Sequence, residues 1–173
     1  MRLPRSFFDR DVLLVAPELI GKKLARKSKD AISYHTITEV EAYRGIEDKA
    51  SHARFGKTSR NGIMFEHGGL VYVYLIYGMY WMLNFVTGPE GQPQAVLLRG
   101  IDGLDGPGKI TRALEIDKSF YGEDLMRSER IWIENSAEKT AFVQKPRFGI
   151  SYAGEPWISM PWRYIRVQSP ENP

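Results

Sequence analysis

The sequence predicts one domain of mixed α+β structure, and three observations carry that expectation. The first is the stretch Leu70 to Phe85, LVYVYLIYGMYWMLNF. It reads as two strands, Leu70–Ile76 and Met79–Phe85, because β-branched and aromatic residues dominate both. Tyr77-Gly78 between them is a turn, with Gly78 free to take the positive φ that a tight hairpin needs. The second is that further strand-like runs accompany only two short helix signals. The third is length: 173 residues, 43% apolar, suffice for one proper core and are too few for two comfortable ones.

In chain order, Asp11 is a plausible N-cap for a helix over VLLVAPELI, stopped at Gly21 and interrupted by Pro17. Leu13, Leu14, Leu19 and Ile20 are its expected core face. Lys22 to Lys27 reads as a basic strand and Ile32 to Tyr43 as a second. A polar turn then leads to His52, and Arg54 to Gly62 is a loop rich in Gly, Ser, Lys and Arg. After the hairpin come a turn at Gly88–Gly91, a strand Ala95–Arg99, a glycine-rich link IDGLDGPG and a helix over Lys109–Ile116. Ile131–Glu134 and Arg147–Tyr152 read as strands, Ser136 to Lys145 as irregular, and Pro161 to Ile165 as a last strand or extended cap.

Composition excludes several function classes. There is no cysteine, so disulfide frameworks and thiolate zinc sites are ruled out. The apolar hairpin is shorter than the ~20 residues of a spanning helix and is broken by Gly78 and Asn84. Asp9, Arg10 and Asp11 stand where a secretory signal would need apolar residues, so a cytoplasmic protein is expected, nucleoid-associated in a prokaryote. Residues 1–29 hold eight Lys/Arg against three acids in a chain of net charge +3. That bias suits a polyanionic partner, and a solvated basic face accounts for it equally well.

The chemistry is sparse. His35, His52 and His67 lack metal-ligand spacing, and there is neither an HExxH nor a G-x-S-x-G motif, so no metal is expected. What remains is a carboxylate (Glu41 or Glu39), the guanidinium of Arg99, His52 and many aromatics. Glu39, Glu41 and Tyr43 share one strand face. One carboxylate can activate water as a general base, and aromatic faces can hold a flat, electron-poor or cationic ring. Tyr77, at the hairpin tip, is either folded into the core or held out for something to stack on.

The ordered set EAY, His52, YVYLIYGMY, Asn84, VLLR and GPGK resembles the alkyladenine (3-methyladenine, methylpurine) DNA glycosylase family, from about Phe7 to Trp162. The resemblance implies a curved, open barrel-like antiparallel sheet flanked by short helices, with residues 1–173 as a single glycosylase domain. It implies a monofunctional enzyme, a monomer acting on double-stranded DNA that contains damaged purines, with no cofactor. Glu41 corresponds to the general base, Arg99 to the water-holding arginine, and the carbonyl of Phe148 to a third water contact. Tyr43 and His52 match one wall of the base pocket, Tyr74 the other, and Asn84 the residue that clashes with the 2-amino group of guanine. Tyr77 matches the wedge that fills the gap in the duplex; Arg60, Met64 and Lys109 match DNA contacts. The segment between Arg99 and Gly106, GIDGLD, is shorter than is usual in the family, so a DNA-facing or supporting element is missing or replaced. The alternatives are a non-catalytic damaged-DNA-binding protein of this fold and a hydrolase of free nucleosides or RNA, which would have no use for a wedge.

Overall fold

The computed structural model describes residues 1–29, 31–137 and 140–167. Its spine is one long strand, β2 (Ala31–Arg44), which takes part in both halves of a curled antiparallel sheet. The first half of β2 pairs with β1 (Lys23–Ser28), and β1 pairs in turn with β7 (Ile131–Glu134). The second half lies between β5 (Gln94–Ile101) and β9 (Arg163–Arg166). From β5 the sheet continues through β4 (Tyr80–Thr87) to β3 (Val71–Ile76). Two short strands complete it: β6 (Leu104–Asp105) on β5 and β8 (Phe142–Lys145) on β9. The sheet forms a half-barrel, and the α+β expectation holds.

The bend has a local cause. The β2–β5 register shifts on both sides of Glu39, and such bulges sharpen the twist of a strand. Gly100 faces the bulge: a Cβ there would lie 2.6 Å from Thr38 Oγ1 and 2.9 Å from Glu39 Cβ. Only glycine permits so close an approach, and the bulge sets the acidic side chains of β2 beside β5.

Three short helices cover the sheet: α1 (Arg5–Phe8), α2 (Val12–Leu19) and α3 (Pro107–Ala113). Asp11 caps α2 as expected, accepting the Leu13 N–H at 2.9 Å. The expected core face of α2 is only partly right. Val12, Val15, Ala16 and Leu19 are buried, whereas Leu14 is 55% exposed. A helix that is apolar all round hides its buried stripe, and the packing of positions 12, 15, 16 and 19 against the sheet decides it. The main core joins Phe8, Leu19, Leu24, Ile37, Phe85, Leu98 and Ile110.

Two assignments near the C-terminus are corrected. Phe142–Lys145, expected to be irregular, forms β8, while residues 138–139 of that stretch lie outside the described residues. Arg147–Tyr152, expected to be a strand, is a bend followed by a 3₁₀ turn at Ser151–Ala153. Gly149 has φ +67° there, which breaks strand geometry.

The β3–β4 hairpin ends in a turn closed by the Met79 N–H on the Ile76 carbonyl at 3.1 Å. Gly78 has φ +66°, as expected, and Tyr77 also lies in the left-handed region at φ +50°. Two positive φ values are the signature of the turn that best matches strand twist. Glycine and asparagine accept it easily, and a tyrosine does so at a cost of ~1–2 kcal/mol. Tyr77 is nevertheless 86% exposed, so no packing within the chain offsets that cost. Tyr77→Asn is therefore expected to raise stability by about 1 kcal/mol, read as a higher midpoint of thermal unfolding. A lower midpoint would mean that Tyr77 packs as a structural residue.

Candidate active site

Three segments meet around Glu41. β2 supplies Glu39, Glu41 and Tyr43, β5 supplies Arg99, and the bend after β8 supplies Phe148. Glu41 stands opposite Leu97, and Glu39 stands opposite Gly100 across the bulge. Arg99 Nε consequently lies 3.3 Å from Glu39 Oε1 and 3.5 Å from Glu41 Oε1. Tyr43 donates its hydroxyl to Glu41 Oε2 at 2.8 Å, and the Phe148 amide N–H donates to Oε1 at 2.7 Å. Glu41 has no exposed surface.

Burial raises the pKa of the Glu41 carboxyl above its ordinary value, against the opposing pull of Arg99, the Phe148 N–H, the Tyr43 hydroxyl and Arg147. A raised pKa makes the ionised form a stronger base. Tyr43 is pushed well above its usual value, first by burial and then by the neighbouring Glu41 charge, so it remains a neutral donor. Glu39 is differently employed. Its Oε1 also accepts from Arg163 Nη1 at 3.1 Å, so two guanidinium groups hold it. Arg163 and Arg99 both lie over the Phe148 ring, with guanidinium carbons 4.0 and 4.9 Å from its centre.

The bend that carries Phe148 is anchored by Arg147. This side chain is fully buried and forms two bonds to Asp48, equally buried, at 2.6 and 3.0 Å. It also donates to the Ala42 carbonyl at 3.0 Å and lies 4.8 Å from the Tyr43 ring and 4.9 Å from that of Trp162. Asp48 in turn accepts the backbone N–H groups of Arg44 and Ala50.

Beside Tyr43, the partner of Glu41, opens a small cleft of about 50 Å³, lined by Tyr43, His52, Tyr74 and Asn84 together with Met64, Tyr72 and Tyr152. The four expected pocket residues are thus brought together. Asn84 donates to the carbonyls of Tyr72 and Met82, at 3.2 and 3.4 Å, which leaves its oxygen as the polar group for the cleft. His52 and Tyr74 touch edge to face, with ring centres 4.4 Å apart, so they stand side by side and not across a base-wide gap. Met64, expected among the DNA contacts, is 2% exposed and lines the cleft from within a small apolar cluster. Arg60 and Lys109 are exposed. Tyr72 and Tyr152 are lining residues that sequence reasoning missed. Tyr72 lies two residues before Tyr74 on the same strand face, a signal that was present. Tyr152 carries none, since its segment read as a strand.

His52 bonds the Tyr72 hydroxyl at 3.0 Å, and its pKa falls to about 4, mainly through burial and further through the charges of Arg60 and Arg54. An unfolded histidine takes up a proton near pH 6.5. As pH falls, the unfolded chain is therefore protonated first. His52 contributes its full stability above pH 6.5 and loses it progressively towards pH 4, on the order of 3 kcal/mol in all. The raised Glu41 carboxyl acts in the opposite sense, stabilising on the acid side. The His52 contribution is isolated by comparing urea midpoints of wild type and His52→Gln between pH 4 and 7. The difference should shrink as pH falls, and a constant difference would contradict a buried neutral ring.

Among the described residues no group of three or more potential metal ligands converges, and no helix is long and apolar enough to cross a membrane. Comparison with known proteins matches residues 6–105 and 102–170 to the family Methylpurine-DNA glycosylase. A protein of Anaeromyxobacter dehalogenans strain 2CP-C, provisionally named a 3-methyladenine DNA glycosylase, is 44% identical over 95% of this chain and 83% of its own. Equally named proteins of Desulfitobacterium hafniense strain Y51 and Sodalis glossinidius are 42% and 46% identical, over 97% and 86% of this chain and 96% and 89% of theirs. A half-barrel that sets a buried carboxylate and an arginine against an aromatic cleft, in a sequence matched along nearly its whole length, belongs to the methylpurine-DNA glycosylase family.

Proposed function

We propose that residues 1–173 form a single, monomeric glycosylase domain that takes alkylated or deaminated purines out of double-stranded DNA and hydrolyses their N-glycosidic bond. The lesion class is 3-methyladenine, hypoxanthine and ethenoadenine. The observation that carries this reading is Glu41: a fully buried carboxylate bonded to Tyr43, a wall of the aromatic cleft, and flanked by Arg99. Glu41 accepts a proton from water as the water oxygen bonds to the sugar C1′ and the C1′–N9 bond breaks. The purine leaves with that electron pair. Alkylation at N3 or N7 places positive charge on the ring, and departure neutralises it, so such lesions need the least help.

Arg99 and the Phe148 segment position the water beside Glu41, with the Phe148 N–H holding one carboxylate oxygen and its carbonyl as a contact for the water. Because Glu41 has no exposed surface, the water arrives as the cleft opens around the substrate. A base stacks between Tyr74 and the wall of Tyr43 and His52, which requires the His52–Tyr74 edge contact to part. Side-chain rearrangements of this size are common on binding. Asn84, with its nitrogen committed to two carbonyls, bars the 2-amino group of guanine by its bulk.

Tyr77 inserts where the flipped nucleotide has left the stack, which gives the strained, exposed ring a purpose. Tyr77→Ala is expected to weaken lesion-duplex binding by ~1–3 kcal/mol, the scale of one base–aromatic stack. Arg60 and Lys109 contact the phosphates, so binding falls with salt. The function itself is tested by incubating duplexes that carry one hypoxanthine, ethenoadenine or 3-methyladenine analogue, followed by alkali. Scission at the lesion and none in undamaged duplex is expected; intact strands throughout would contradict the reading and favour a binding protein.

A further inference from the structure

The loop from His52 to Asn61 is pinned by one side chain. Asn61 is 2% exposed and donates to the carbonyls of His52 and Gly56 at 2.9 and 3.0 Å, while its oxygen accepts the Thr58 N–H at 2.7 Å. Two arginines ride on this loop in matched arrangements. Arg54 lies 4.9 Å from the ring centre of Tyr152 and 4.6 Å from that of Phe55, and donates to the Lys49 carbonyl at 3.1 Å. Arg60 lies 5.2 Å from the ring centre of Tyr74 and donates to the Leu75 carbonyl at 3.3 Å. Tyr152 and Tyr74 are both walls of the cleft. Each wall therefore carries one guanidinium: Arg54 over the rings of Phe55 and Tyr152 with the Lys49 carbonyl as acceptor, and Arg60 over Tyr74 with the Leu75 carbonyl and the Tyr72 hydroxyl as partners. Neither arginine forms an ion pair among the described residues, although most other arginines near the site do.

A guanidinium has five N–H donors, so each of these two keeps most of its donors free while its position is already fixed. Both charges are felt at the cleft, where they depress the pKa of His52. Two preoriented, unneutralised cations on the walls of a cleft call for two anions outside it. A nucleotide rotated out of a duplex brings such a pair: the phosphates on its 5′ and 3′ sides.

We propose that Arg54 and Arg60 form a clamp at the cleft mouth that binds the two phosphates flanking the extruded nucleotide, with Tyr152 and Tyr74 as the platforms that aim them. The proposal rests on the reading of this cleft as a base-flipping site. It adds Arg54 and Tyr152 to the DNA-binding surface and gives Arg60 a defined partner, the backbone of the extruded nucleotide itself. Planar guanidinium groups suit phosphate, and stacking reduces the freedom lost on binding.

The test uses duplexes with a stable tetrahydrofuran abasic analogue and measures Kd over a range of salt. One duplex has ordinary phosphates; two others carry a neutral methylphosphonate on the 5′ or the 3′ side of the analogue. Arg54→Gln and Arg60→Gln are each expected to weaken binding to the ordinary duplex about tenfold and to lower the slope of log Kd against log salt by about 1. Each variant should lose nothing further on one of the two methylphosphonate duplexes, and the two variants should pick opposite sides. Additive losses on both, or an unchanged salt slope, would overturn the clamp and leave the arginines as covers for aromatic rings. Because the methylphosphonates alter only the DNA, wild type alone must also lose affinity on each, whatever the variants do to folding. If wild type does not prefer the abasic duplex to an undamaged one, the base-flipping reading fails instead.

Discussion

Glu41→Gln is expected to bind lesion duplex as wild type does and to excise the base about 10²–10⁴-fold more slowly under single-turnover conditions, the usual span for a general base. Glutamine keeps the shape: its oxygen can accept from the Phe148 N–H, and its NH2 can donate to the Tyr43 hydroxyl, which turns from donor to acceptor, at the two contacts that hold Glu41 at 2.7 and 2.8 Å. The negative charge and with it the capacity to take a proton are lost. Glu39→Gln should behave differently. Its carboxylate lies between Arg99 and Arg163 and acts through them, so its loss should slow excision less by letting Arg99 drift. The pH profile separates the two. Burial raises the Glu41 carboxyl above its ordinary value, so the wild-type rate on an N7-methylated purine, whose leaving group needs no proton, should fall on the acid side from a point above pH 4.5. Glu39→Gln should retain that acid limb and Glu41→Gln should lack it. An inactive Glu39→Gln beside a fully active Glu41→Gln would reverse the assignment.

The largest effect on stability is expected from Asp48→Asn, about 3–5 kcal/mol, because it leaves the Arg147 guanidinium buried and uncompensated. Arg147 has no exposed side-chain surface, is wedged against Tyr43 and Trp162, and already has a buried Nε without a partner. Adding Arg147→Met should restore much of the loss, since an apolar side chain in that slot has no charge to satisfy. Excision should not recover in the double variant. The pair also fixes the bend from which the Phe148 N–H reaches Glu41. Urea midpoints and single-turnover rates on the same three proteins check both halves. Recovery of both stability and rate would reduce the pair to a structural role.

What could be read in the sequence follows from the range of the interactions concerned. The hairpin and its tip were legible because strand propensity and Gly78 are local, and the exposure of Tyr77 decided between two readings that the sequence left open. Glu41 and Arg99 were legible as chemistry, although their proximity depends on a bulge at Glu39 that only Gly100 permits. The bend at Arg147–Tyr152 was misread as a strand because the alternation of RFGISY resembles one. What bends it is Gly149 and a bond from Arg147 to Asp48, 99 positions earlier in the chain. Arg163, Asn61 and Tyr152 gave no signal, since each acts through contacts with groups their neighbours in sequence do not reveal. Met64, placed among the DNA contacts by the resemblance alone, is buried by packing against Leu70, Tyr72 and Val86, which its place in the sequence does not reveal.

The proposed mechanism centres on water, activated by Glu41, as the group that attacks C1′. A lysine amine attacking the same carbon would instead leave a Schiff base that borohydride reduces to a stable protein–DNA adduct. Single-turnover excision of a hypoxanthine duplex, quenched in parallel with alkali and with sodium borohydride, distinguishes the two directly. The expected result is alkali-labile DNA that accumulates with time, no trapped adduct at any point, and neither species from Glu41→Gln on that timescale. An adduct that grows in step with the abasic product, or abasic product formed equally fast without the Glu41 carboxylate, would contradict it.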